Sequence, residues 1–286
     1  MAVLAGVEGT LGATGVTYCT SGGQPQTLDV YEPRGRHGPR PLLVVVHGGA
    51  WVAGSPALDR QSLFTQAVVN AVLARGFVVA SIGYRLAPRA RWPAQIVDVR
   101  CAVRYLRATA ARWDVDGQRI AALGDSAGGH LVSLDALSAG HDPAWDTAEH
   151  AGESSALDAV IDCWGLVDLT ARGWTRLAGG MGLPAFGVRL GTPSAVLGDA
   201  SPVRHVRHGA PPFLVIHGLG DVLVRPAQSA ELVATLRRAG DRATLLDVRG
   251  AGHGLYPVRN TTMSPSFDSV VAAAVAFLSA TVGRGE

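Results

Sequence analysis

Six short apolar runs recur along the chain: PLLVVVH (41–47), FVVASI (77–82), RIAAL (119–123), AVIDCW (159–164), FLVIH (213–217) and ATLLDV (243–248). Each is continuously hydrophobic rather than alternating and is bounded by turn residues, the pattern of strands buried on both faces of a parallel sheet. Helix-period segments separate them. Leu63, Phe64, Ala67, Val68 and Val72 share one face, and Gly76 follows as a stop. Ile96, Val99, Val103 and Leu106 make a second stripe, residues 226–239 a third closed by Gly240, and residues 267–281 the last helix. Strand alternating with helix predicts an α/β layer architecture: a mostly parallel central sheet with helices on both faces, joined by right-handed crossovers.

The 286 residues are 48 % hydrophobic and 17 % charged, enough to bury one large core, and neither repeat nor polar linker divides them. The expectation is a single domain spanning 1–286. Residues 165–212 break the alternation, being rich in glycine and proline without a clean period. A loop that long in a compact domain reads as a small lid insertion over an active site.

Net charge is only +2, and the basic residues, all arginine, are spread among acids. That argues against nucleic-acid and membrane-surface partners. Arg100, Arg104 and Arg107 line one stripe of a helix and read as a solvated face. Cys19, Cys101 and Cys163 are odd in number, far apart and in no C-x-x-C pair, so neither a disulfide framework nor a thiolate metal site is expected. The first fifteen residues have no basic stretch, Glu8 interrupts their apolar character, and no later segment reaches the ~18 apolar residues of a membrane span. The reading is a cytoplasmic protein.

GDSAG, residues 124–128, fits G-x-S-x-G and falls where a strand turns into a helix. That corner lifts the Ser126 hydroxyl above the sheet, near the positive end of the next helix. A serine needs a base, and the base needs an orienting acid. His253, in the glycine-flanked loop GAGHGL after the last strand, is the base; Asp221, in IHGLGDVLV, is the expected acid in the order Ser, Asp, His. Asp168, after the preceding strand, is a geometrically possible rival, whereas Asp247 lies too close to His253 along a strand. For the oxyanion, HGGAW (47–51) offers the N–H groups of Gly48 and Gly49, and Ala127 supplies a third from the helix start.

His47 and His130 flank motif glycines and read as loop braces. His205 and His208 have helical spacing but no third ligand, so no metal is expected. Trp51 and Tyr84, in loops beside the site, are candidates to line the substrate pocket. Trp174, Met181, Leu183 and Phe186 in the insertion are candidates for the same role, or for the insertion's own small core.

With these motifs in place, the chain resembles the α/β-hydrolase superfamily, and within it the esterases related to hormone-sensitive lipase and the feruloyl-esterase-like and kynurenine-formamidase-like group. The resemblance runs through TLDVYEP (27–33), HGGAW, YRLAP (84–88), GDSAGGHL, GLVDLT (165–170), PPFLVIHGLGDVLV and GAGHG, in that order. It implies a carboxylic-ester hydrolase with Ser126 as nucleophile, His253 as base, Asp221 as acid and no cofactor. HGGA stands where the lipase-related branch has HGGG, and strand-like sequence already appears at Val16, leaving little room for that branch's N-terminal cap. Small, short-acyl esters are the expected substrates. Acyl transfer, lactone formation or cyclisation, N-formyl amide hydrolysis and, in another class, a non-catalytic ligand-binding module are the alternatives. Assembly as a homodimer is left open.

Overall fold

The computed structural model describes residues 9–35, 38–171, 184–188 and 194–283. Its eight strands are β1 (Gly9–Cys19), β2 (Gln26–Pro33), β3 (Arg40–Val46), β4 (Val78–Ile82), β5 (Val115–Asp125), β6 (Ala159–Cys163), β7 (Phe213–Gly218) and β8 (Ala243–Val248). They form one sheet in the order β1-β2-β4-β3-β5-β6-β7-β8. β1 and β2 run antiparallel to their neighbours, and every pairing from β4 to β8 is parallel. The expected mostly parallel sheet is therefore present, with an antiparallel pair at one edge.

The described residues also hold helices α1 (Leu63–Leu73), α2 (Ala94–Ala108), α3 (Ala127–Ser138), α4 (Ala195–Asp199), α5 (Ala227–Arg238) and α6 (Phe267–Thr281). Alternate strand residues feed opposite faces. Leu42, Val44 and Val46 of β3 join a core with Ile96 and Val99 of α2, Leu131 of α3 and Leu232 of α5. Leu43 and Val45 join the other core, with Phe64 and Val68 of α1 and Val270 and Ala274 of α6. This double cover explains why the central strands read as unbroken apolar runs.

Two expectations fail here. Cys19 and Cys101 form a disulfide between the end of β1 and α2, leaving Cys163 as a buried free thiol. The 82-residue separation hid the pair, because only the sheet brings the two ends together. The arginine stripe of α2 is not a solvated face either: Arg100 is wholly buried, donating to Ser138 Oγ at 2.7 Å and the Asp142 carbonyl at 2.7 Å, with Asp135 and Asp146 as ion partners. Arg104 is buried as well, donating to Thr147. The segment around residues 142–147 covers the side of α2 that the sheet does not.

Among the described residues no helix is long and apolar enough to cross a membrane. In the 165–212 stretch, the described parts are 165–171, 184–188 and 194–212, the last containing α4 and a turn at Pro202–Arg204. Trp174, Met181 and Leu183 lie outside the described residues.

Candidate active site

The parallel strands deliver their C-terminal ends to one edge of the sheet, where the loops after β3, β5, β7 and β8 meet. β5 runs into Ser126, whose backbone takes φ 53° and ψ −114° before α3 begins at Ala127. A non-glycine residue held there stores of the order of 1–3 kcal/mol. The turn is pinned on both sides, as the Ser126 N–H donates to the Cys163 carbonyl at 2.8 Å and the Ser126 carbonyl accepts from His130 N–H at 3.0 Å. The flanking glycines are needed for space. A Cβ on Gly124 would strike the backbone of Gly128, and one on Gly128 would strike the carbonyls of Val46 and His47.

His253 opens a short 3-10 turn, His253–Leu255, beyond β8. Its Nε2 lies 3.1 Å from Ser126 Oγ, and its Nδ1 lies 2.7 Å from Asp221 Oδ2. The carboxylate only accepts, so Nδ1 carries the proton and Nε2 is free to accept from the serine hydroxyl. Asp221 stands in the loop after β7, where its Oδ1 accepts from the N–H groups of Leu223 (2.8 Å) and Val224 (2.9 Å). Burial raises its pKa, but hydrogen bonds from His217 and His253 outweigh that and hold the carboxyl well below the usual range. Asp168 accepts from Thr170 and Asp247 is exposed on β8, so Asp221 is the carboxylate that meets His253.

Sequence reasoning had not picked out His217 as a partner of the acid. It is fully buried at the end of β7, with Nε2 3.3 Å from Asp221 Oδ2 and 3.0 Å from the Val224 carbonyl, and Nδ1 2.6 Å from Ser229 Oγ. Both neighbours of Nε2 are acceptors, so Nε2 carries a proton and the acid has a second ring donor behind it. The signal lay in the spacing of His217 and Asp221, four apart across a strand end.

The loop after β3 bends through three consecutive positive φ values, Gly49 (97°), Ala50 (53°) and Trp51 (62°). Tyr84 braces it from below, its hydroxyl donating to the carbonyls of His47 (3.0 Å) and Gly48 (3.2 Å) while its ring stacks on His47 at 4.2 Å. Among the described residues the N–H groups of Gly49, Ala50 and Ala127 donate to no protein acceptor, Ala127 being the first residue of α3. Gly48 stands apart. Its N–H faces the Asp125 carboxyl, which burial pushes up to about 6 against the pull of that N–H and of His253.

Trp51 is 1 % exposed; its Nε1 donates to His130 Nδ1 at 3.2 Å and its ring meets Phe186 at 4.9 Å. Phe186 is buried against Trp51 and Trp92. Residues 184–188 thus pack beside the loop after β3, and all three aromatic candidates with described coordinates, Trp51, Tyr84 and Phe186, are buried. His130 holds the Ala200 carbonyl at 2.7 Å, and burial lowers its pKa to about 4, so it is a neutral brace. His205 pairs with Asp142 and the Asp199 carbonyl, whereas His208 reaches the Ala239 carbonyl; the two do not converge on a common ligand position.

The BD-FAE family model matches residues 28–236 of the chain. Among curated proteins, esterase LipC of Mycobacterium tuberculosis is 36 % identical over 250 residues, covering 86 % of this chain and 60 % of LipC. The probable isoprenylcysteine alpha-carbonyl methylesterase ICMEL1 of Arabidopsis thaliana is 27 % identical, covering 81 % of this chain and 49 % of that protein. The chain therefore spans about half to three-fifths of the length of such relatives. Among solved structures, a truncated carbohydrate esterase from gut microbiota superposes with a TM-score of 0.80 at 26 % identity, covering 98 % of this chain and 99 % of that one. A thermophilic esterase of Thermogutta terrifontis superposes at 0.75 with 25 % identity, covering 96 % and 95 %. The fold is that of the α/β-hydrolases.

Proposed function

The chain belongs to the BD-FAE family, and from that premise we propose that it hydrolyses carboxylic esters of small, short-acyl substrates through an acyl-enzyme on Ser126. The observation that carries this reading is the position of His253, 3.1 Å from the serine hydroxyl on one side and 2.7 Å from the Asp221 carboxylate on the other. In the proposed reaction His253 Nε2 takes the Ser126 proton as Oγ attacks the ester carbonyl. Asp221 fixes the imidazole tautomer and stabilises the imidazolium. His217 holds Asp221 from behind.

The oxyanion then forms against the N–H groups of Gly49 and Ala127, with Ala50 adjoining them; removing one such donor costs roughly 2.7–4 kcal/mol. Gly48, one of the donors expected from sequence, is given a different part, because its N–H is directed to Asp125. Collapse of the tetrahedral intermediate expels the alcohol, which leaves with the proton from His253. Water, activated by the same histidine, releases the acid and restores Ser126. The esterase names of several relatives and structural neighbours support this choice of reaction.

The test is hydrolysis of p-nitrophenyl esters from acetate to decanoate by the wild type and by Ser126→Ala, His253→Ala and Asp221→Ala. We expect turnover of the short esters, with kcat reduced roughly 10⁴-fold or more in the serine and histidine variants. Wild-type turnover by Ser126→Ala contradicts the proposal.

A further inference from the structure

A pocket of about 400 Å³ lies beside the catalytic histidine loop, lined by Leu63, Leu255, Tyr256, Pro257, Met263 and Phe267, with Gly254 as its remaining wall. We propose that this pocket receives the alcohol portion of the ester, so that the protein selects substrates with bulky apolar leaving groups. The proposal rests on the esterase reading and adds to it the class of alcohol.

His253 Nε2 must hand its proton to the departing oxygen, so that oxygen lies within hydrogen-bond reach of Nε2. The group it carries therefore leaves on the histidine side. Gly254, the next residue, is already pocket wall.

His253 is 6.2 Å from the Trp164 ring, Trp164 is 5.9 Å from Phe64, and Phe64 is 6.2 Å from Phe267, all edge-on. Trp164 and Phe64 are buried in the core, so these rings run beneath the surface and tie the histidine to Phe267 in the wall of the pocket. No charged side chain lines it.

Leu63, Leu219, Val222, Tyr256 and Val258 account for all but Val196 of the large exposed apolar side chains among the described residues. Leu63 and Tyr256, 61 % and 58 % exposed, form the pocket mouth. The other three lie on the Asp221 and His253 loops, which are joined by the hydrogen bond from Gly220 N–H to the Ala251 carbonyl. Apolar exposure gathered at the rim of a candidate catalytic site is the signature of a ligand-facing surface.

The test compares ethyl acetate with cyclohexylmethyl acetate, which share an acyl group and have leaving alcohols of similar acidity. The variant is Leu63→Glu: Leu63 is mostly exposed at the first position of α1, where an acidic side chain suits the helix dipole, so the fold is retained. We expect kcat/KM for cyclohexylmethyl acetate to exceed that for ethyl acetate by about tenfold or more. Leu63→Glu should abolish that preference, bringing the kcat/KM values for the two esters within about twofold of each other.

A second readout needs no turnover. The chain has three methionines, so ¹³C-methyl labelling gives few signals. The Met263 signal, assigned with Met263→Leu, should move when cyclohexylmethanol is added to the wild type and stay put in Leu63→Glu. Ethyl acetate hydrolysis with no preference for the larger alcohol and a Met263 signal indifferent to cyclohexylmethanol overturns the pocket assignment alone. Hydrolysis of neither ester overturns the esterase reading beneath it, and the leaving-group assignment with it.

Discussion

Asp125 shows how a site can hold a charge it does not want. Its carboxyl is pushed up to about 6 by burial, from an ordinary 3.8, although the Gly48 N–H faces it. Because the folded-state pKa lies above the unfolded one, this group's stabilising contribution is complete below about pH 4 and is lost as pH rises through 6. The interval corresponds to about 3 kcal/mol. Asp125→Asn, which never ionises, should therefore gain stability relative to wild type by up to about 3 kcal/mol between pH 4 and pH 7, measured from urea unfolding at each pH. A difference that does not change with pH contradicts this account. Ser126, His253 and Asp221 were legible as candidates because their type, glycine setting and chain order all carry signal. Asp125 and His217 were not, since what distinguishes them is a neighbour on another strand: the Gly48 loop for one and the acid after β7 for the other.

At the scale of elements, legibility followed the covering of each strand. β3, β4, β6 and β7 read directly from apolar runs because both faces are buried; β8, the opposite edge strand, kept its apolar run although Thr244 and Asp247 are exposed, and of α1, α2 and α5 only the ends shift by a residue or two. β1 was the difficult one. It is an edge strand with a mixed burial pattern, paired to β2 through several register shifts, so neither a continuous run nor a clean alternation announces it. α2 shows the converse failure. Its apolar stripe was plain, but periodicity describes one covered face, and Arg100 and Arg104 are covered by the segment around residues 142–147 on another. The buried guanidinium of Arg100 is tolerated because Asp135, Asp146, Ser138 and the Asp142 carbonyl surround it.

Across the whole molecule, the Cys19–Cys101 bond ties the edge of the sheet to α2 over 82 residues of chain. A loop of that size restricts the unfolded chain strongly, and the bond should contribute about 2–4 kcal/mol. The double variant Cys19→Ser, Cys101→Ser should lose about that much in chemical unfolding, and the wild type in reductant should match it. An unchanged unfolding midpoint in both contradicts the contribution. The bond also counts against the cytoplasmic reading, because disulfides persist mainly in oxidising compartments. What joins all three scales is the claim that Ser126 is a nucleophile primed by His253. Its most direct test is labelling with a fluorophosphonate, followed by peptide mapping while residual ester hydrolysis is tracked. The account predicts one label per chain on the peptide carrying Ser126, activity lost in proportion, and no label on Ser126→Ala. Labelling at another residue with Ser126 untouched, or full activity after Ser126 is labelled, would contradict it.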